Sequence, residues 1–314
     1  MSLRPSYIAL HARGELTARA RAARAQLADC ALCPRRCHVD RMSGAGGHCG
    51  VGRQALVSSY HPHHGEESPL SGQRGSGTIF FASCSLGCLF CQNWTTSHLR
   101  EGTAVSDQRL GDMMLELQAL GCHNINLVTP THVVAQVLGA VVHAAERGLT
   151  LPIVYNTGGY DLTSTLALLD GVVDIFMPDV KTLDEGVSAI LLKAEEYPEA
   201  VRSAVREMHR QVGDLVLSDT GVAMRGLLVR HLVMPGDLAA TREVMRFLAR
   251  DISPATYVNL MDQYWPCGAA PHLPTVNRPI TAREFDEALA ACRAEGIRRL
   301  DGGAGARFRR PRPS

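Results

Sequence analysis

Six short runs of Val, Ile, Leu and Phe, each followed by a helical stretch, constrain most strongly what this chain can fold into. The runs fall at 78–82, 124–129, 152–156, 172–177, 227–233 and 256–260. Their continuous apolar character is what strands buried on both faces require. The stretch 107–120 places Leu110, Met113, Met114 and Leu117 on one face and stops at Gly121. The stretch 132–147 does the same with Val133, Val137 and Val141 and stops at Gly148. Pro198 suits the first turn of a helix reaching Val212. Further helices are expected over 161–170, 239–250 and 281–295, and one upstream over 14–28. Six β/α repeats joined by crossovers imply a parallel sheet with helices outside it. By itself this pattern fits a doubly wound sheet or a barrel.

The first of these runs leads directly into Cys84-Ser-Leu-Gly-Cys88-Leu-Phe-Cys91, a C-x3-C-x2-C spacing. A [4Fe–4S] cluster normally takes four thiolates. Three close cysteines leave one iron open for a small molecule to chelate, which separates a catalytic cluster from a simple electron carrier. Structural zinc wants four ligands and fits this triad poorly. A second group precedes it: Cys30, Cys33, Cys37 and Cys49, spaced C-x2-C-x3-C-x11-C among Gly and Pro. Tetrahedral zinc and an auxiliary iron–sulfur cluster both fit four thiolates. Cys122, Cys267 and Cys292 stand alone and read as small buried hydrophobes.

The triad, with Phe90 in the aromatic place before Cys91, resembles the signature of the radical S-adenosylmethionine (SAM) superfamily. The runs Gly75–Phe81, Asn124–His132, Pro152–Thr157, Asp174–Lys181, Val229–Gly236 and Asn259–Tyr264 are similar to the pyruvate formate-lyase activating enzyme-like branch. The likeness extends from about Cys30 to about Gly296. It implies a six-strand partial (β/α) barrel with an N-terminal Cys-rich extension, and an active site at the C-terminal ends of the strands. It implies a [4Fe–4S] cluster on Cys84, Cys88 and Cys91, and SAM on the fourth iron. Reductive cleavage of SAM would yield a 5′-deoxyadenosyl radical for hydrogen abstraction. A reducing partner of flavodoxin or ferredoxin type follows, and a glycyl-radical protein as substrate if the chain is an activase.

The same resemblance nominates SAM-binding residues. Many members use Gly-Gly-Glu after the second strand; here stands Val128-Thr-Pro-Thr-His132, so Thr129 and Thr131 are the acceptors on offer. Asn156, Thr157 and Asp179 match the segments that lie against SAM, with Asn156 where activating enzymes often carry aspartate. Lys181 is one of only two lysines in the chain and sits two residues after Asp179. Arg230 and His231 lie inside the fifth strand, where charge is costly unless paired, and are candidates to face substrate. The run His61-Pro-His-His-Gly-Glu-Glu67 reads chiefly as a solvated loop.

Composition removes other classes. A net charge of +1 gives no field favouring nucleic acid or membrane. No apolar run reaches the ~18 residues of a membrane span. The N-terminus lacks a signal-peptide core, so a cytoplasmic protein is expected. There thiols stay reduced, and ten cysteines argue for metal. The expected organisation is a helical segment 1–29, a four-cysteine metal-binding extension 30–74, a barrel 75–300 and a disordered basic tail 301–314. Two other readings remain: a non-catalytic iron–sulfur electron carrier or sensor, and a radical SAM modifier of a small molecule or peptide.

Overall fold

The computed structural model describes residues 4–302, so most of the expected basic tail lies outside the described residues. Within them the chain is a mixed α/β fold built on one large, mostly parallel sheet. Its strands are β1 (Ala55–His63), β2 (Ser76–Phe81), β3 (Thr103–Val105), β4 (Ile125–Val128), β5 (Ile153–Thr157), β6 (Ile175–Pro178), β7 (Val216–Leu217), β8 (Ala223–Leu232), β9 (Tyr257–Met261) and β10 (Arg299–Leu300). Their lateral order is β10-β9-β8-β6-β5-β4-β2-β1-β3, with β7 paired to β8 off this path. From β2 to β10 the neighbours along that path are parallel. They follow chain order without reversal, whereas a doubly wound sheet reverses at a switch point. β1 and β3 extend the β2 edge antiparallel.

Successive side chains of a strand alternate between faces, and the two faces here differ. Ile79, Ile125, Tyr155, Phe176 and Val229 share the main core with the flanking helices. The opposite face carries a small separate cluster, including Val154, Ile175, Met177 and Leu228, closed by Leu70. Leu70 is fully buried there, which contributes about 1.5–3 kcal/mol. The short helix Ser68–Ser71 is held over this face by Asn124, whose Nδ2 donates to Leu70 O at 3.0 Å.

Local signals set the helices. In Asp107–Ala119 the Ser106 hydroxyl caps the Arg109 amide. Thr281 and Glu284 form a reciprocal capping box at the start of Ala282–Glu295. Pro198 lies in the first turn of Tyr197–Val212. The helix Glu15–Ala25 packs on Val134–Glu146 and places Leu16 and Ala23 in the main core. Cys30, Leu32, Cys49 and Val51 belong to that core too, and β1 belongs to the sheet. The segment 30–74 is therefore continuous with the rest of the fold. No helix among the described residues is long and apolar enough to cross a membrane.

Candidate functional site

The loop beyond β2 is pinned from several sides. The Gly87 and Leu89 amides donate to Leu192 O (3.1 Å) and Leu191 O (2.9 Å), and Ala269 N donates to Leu89 O at 2.8 Å. Ser83, at its start, has φ +73°, strained for any residue but glycine. Cys84 Sγ accepts from the Leu86 amide at 3.3 Å, and Cys91 Sγ from Ser97 Oγ at 3.2 Å. Burial pushes the Cys84 thiol up to about 11 and the Cys88 thiol to about 12, while Lys181 pulls both down. Cys84 and Cys91 also raise the Cys88 thiol by their own charge, a smaller effect than burial. Cys88 and Cys91 open onto a cavity of about 220 Å³ that also meets Phe90, Asp179, Lys181 and Arg230.

The charged residues of that cavity form one network. Arg230 Nε donates to Asp179 Oδ1 at 2.7 Å, and Lys181 Nζ to Asp179 Oδ2 at 2.8 Å. Arg230 Nη2 reaches Asn156 Oδ1 at 2.7 Å, and Arg230 Nη1 lies 3.9 Å from Glu66. Burial alone would raise the Asp179 carboxyl, but Arg230 and Lys181 outweigh it and hold it at about 2. Burial does prevail at Glu66, whose carboxyl sits above the usual carboxylate range despite Arg230. Thr129 adjoins the network, since its amide donates to Asn156 O at 2.8 Å; its φ is +61°, an outlier for a β-branched residue.

Three expected site residues belong elsewhere. His231 lies on the opposite face of β8 from Arg230, as alternation demands, and is fully buried. Its Nδ1 is 2.6 Å from Val180 O and its Nε2 3.0 Å from Thr241 Oγ1. Burial pushes it down to about 4, so it is a neutral, satisfied core histidine rather than a substrate contact. Thr131 and Thr157 spend their hydroxyls on each other at 3.0 Å and, through Thr157, on Asp161 Oδ2 at 2.6 Å. They brace the turn after β4 internally.

Residues the motifs did not reveal share the Leu70 face. Asn259 Nδ2 donates to Glu67 Oε1 at 2.8 Å. Asn126 is fully buried with both side-chain polar atoms unpaired. His61 and His63 lie in β1, not a loop, with ring centroids 5.6 and 5.9 Å from Phe80. Only the Glu66-Glu67 pair ahead of the first parallel strand was a signal in sequence.

The N-terminal cysteines line a second, very small cavity, of about 10 Å³, together with Arg41 and His132. Each sulfur meets an N–H group. Arg41 Nη1 is 3.5 Å from Cys30 Sγ, and His48 N is 3.3 Å from Cys37 Sγ. The Arg35 and Val51 amides act on Cys33 and Cys49 and oppose the rise that burial causes in both thiols. Gly47 permits the approach, because a Cβ there would stand 2.9 Å from Cys37 Cβ. Such N–H···S donors favour the thiolate that a metal requires, so the donor set fits a thiolate-bound metal. The donors are gathered but not contracted: no group of three or more His, Cys, Asp or Glu side chains among the described residues reaches the spacing of a bound ion. The two cysteine loops touch. Ser83 Oγ donates to Cys49 O, and Arg35 Nε donates to Ser85 O at 2.9 Å. Cys122 and Cys292 are buried, as expected of lone cysteines, and Cys267 is half-buried.

The chain matches no family model. It is similar to an uncharacterized protein of Methanocaldococcus jannaschii. The two are 28% identical over 270 residues, which is 83% of this chain and 73% of that protein.

Proposed function

We propose that this chain is a radical SAM enzyme. Cys84, Cys88 and Cys91 would hold a [4Fe–4S] cluster, and the cavity beside them would take SAM. One observation carries the reading: a tightly pinned loop beyond the C-terminal end of a parallel strand bears three thiols, two of which, Cys88 and Cys91, open onto a cavity walled by a buried ionic network. The unreversed order of the parallel strands supports a six-strand partial barrel over β2, β4, β5, β6, β8 and β9. On that reading residues 75–300 are the barrel and 30–74 its four-cysteine extension, holding zinc or a second cluster.

When bound, the cluster would supply the electron for reductive cleavage of SAM. The protein's part is positioning and exclusion of water. Lys181 and Arg230 are the cations on offer to the SAM carboxylate, set against Asp179 and against Glu66, whose carboxyl burial raises to about 7. The half-exposed Thr129 and the Asn156 amide offer hydrogen-bonding groups beside them. Phe90 is buried against Tyr264, with ring centroids 6.2 Å apart, and keeps the thiol side of the cavity apolar. A flavodoxin- or ferredoxin-type donor would supply the electron. The hydrogen would come from a glycine of a partner protein, as in an activase, or from a small molecule or peptide.

An anaerobic assay tests this. The protein is reconstituted with iron and sulfide, reduced with dithionite and given SAM, and 5′-deoxyadenosine is quantified beside Cys88→Ala. Product from the wild type alone is expected. No product from a wild type shown spectroscopically to hold a [4Fe–4S] cluster would favour the electron carrier or sensor.

A further inference from the structure

His132 is buried at 1% exposure and is one of the residues lining the cavity of the N-terminal cysteines. It arrives there from the 3₁₀ turn Thr131–Val133 that follows β4, about a hundred residues after the first of those cysteines. Its Nε2 lies 3.0 Å from Ala82 O. A carbonyl oxygen only accepts, so Nε2 carries the proton and Nδ1 presents a bare lone pair. That Nδ1 has no hydrogen-bond partner. The ring is also fixed through its own backbone, because Arg41 Nη1 donates to His132 O at 2.9 Å. A buried acceptor left unmatched calls for an explanation. A ring nitrogen whose opposite N–H is locked to a backbone carbonyl is the arrangement found in metal-ligating histidines.

We propose that His132 Nδ1 is a ligand of the metal bound by Cys30, Cys33, Cys37 and Cys49. The centre then draws on both the N-terminal extension and the end of β4, and takes one nitrogen among sulfurs. Since zinc and iron–sulfur centres take four protein ligands per site, one of the four thiols stands outside the first sphere. This inference does not depend on the radical chemistry, because it concerns only the second centre. The competing account is that a water joins Nδ1 to Arg41 Nε or Arg35 Nη2, two other unpaired buried groups on residues that line the same cavity.

Zinc is the probe, as an ion that accepts both sulfur and nitrogen donors. The full chain is labelled with ¹⁵N and titrated with Zn²⁺, and the imidazole nitrogens are followed by long-range ¹H–¹⁵N correlation. The expected result is that His132 Nδ1, assigned by its absence in His132→Gln, leaves the bare lone-pair range at the equivalence point. His132→Gln should also weaken zinc retention against a chelator by about tenfold or more. An Nδ1 resonance that stays unmoved while the cysteines take up zinc overturns the proposal and leaves the water-bridged account. Should His132→Gln fail to fold, the wild-type titration still decides, since the ring that donates to Ala82 is identified by its protected Nε2–H.

Discussion

Asp179 is the residue on which two cations depend. Its two oxygens take Arg230 and Lys181, both largely buried. Its folded pKa, about 2, lies below its ordinary value of 3.8. Its ionised form therefore stabilises the fold above about pH 4, and that contribution is lost as pH falls through about 2. A shift of this size is worth about 2 kcal/mol. Asp179→Asn removes more, because it leaves two like charges buried together; a loss of about 3–5 kcal/mol at pH 7 is expected in urea unfolding. Between pH 4 and 2 the wild type should lose stability faster than the variant, and parallel curves would show that Asp179 is not the group responsible. Individual residues were unequally legible in the sequence. The cysteines announced themselves by spacing, and Asp179 and Lys181 by following a strand. The surroundings of His132 and Glu66 were not legible, because they come from neighbours 50 to more than 150 residues away, as with Ala82 and Arg230.

At the scale of elements, the six long apolar runs each became a strand within a few residues of the expected bounds. Short runs rich in Val, Ile, Leu and Phe leave few alternatives once helical stretches separate them, even where polar residues alternate with apolar ones as in 124–129. β3, β7 and β10 were invisible, since two or three residues carry no period. The His61–Glu67 run reads in sequence chiefly as a solvated loop, whereas His61–His63 ends β1 with Pro62 inside the strand. Yet β3 pairs with β1 only up to Val57, so Pro62 lies where one side of β1 is unpaired and a missing N–H costs little. β8 depends on a glycine for a steric reason. Gly226 has φ +123°, and a Cβ there would stand 2.4 Å from Asp214 O and 2.5 Å from Leu215 Cα. Backbone cannot yield as a side chain does. Gly226→Ala is expected to cost about 2–4 kcal/mol. Gly221→Ala, at φ +80° with nothing within 4 Å, should cost only about 1 kcal/mol. Equal shifts of the urea midpoint would mean that β7 moves aside freely.

Across the whole molecule, the N-terminal extension acts as a brace for the Cys84–Cys91 loop. It is fastened at Thr165, whose Oγ1 donates to Leu32 O at 2.8 Å, and at the Ser83–Cys49 and Arg35–Ser85 bonds. Those last two bonds grip the loop on either side of Cys84. The stretch they come from is rich in glycine and includes Arg36 and His38 at positive φ, so its own propensity gives it little reason to hold that shape. A metal on its cysteines would supply the missing ordering energy. Loss of that metal should then be felt beyond the extension, in a segment more than 30 residues downstream. The replacement Cys33→Ala with Cys37→Ala, compared with the metal-loaded wild type by hydrogen exchange, is expected to speed exchange of amides in 83–91 as well as in 30–52. Amides of β9 and β10, whose one side-chain bond to the extension, Asn259 to Glu67, lies well beyond the cysteines, should be unchanged. Faster exchange confined to 30–52 would show that the two loops touch without supporting one another. Faster exchange everywhere would show that the metal holds the global fold, which the continuity of the extension with the main core also permits.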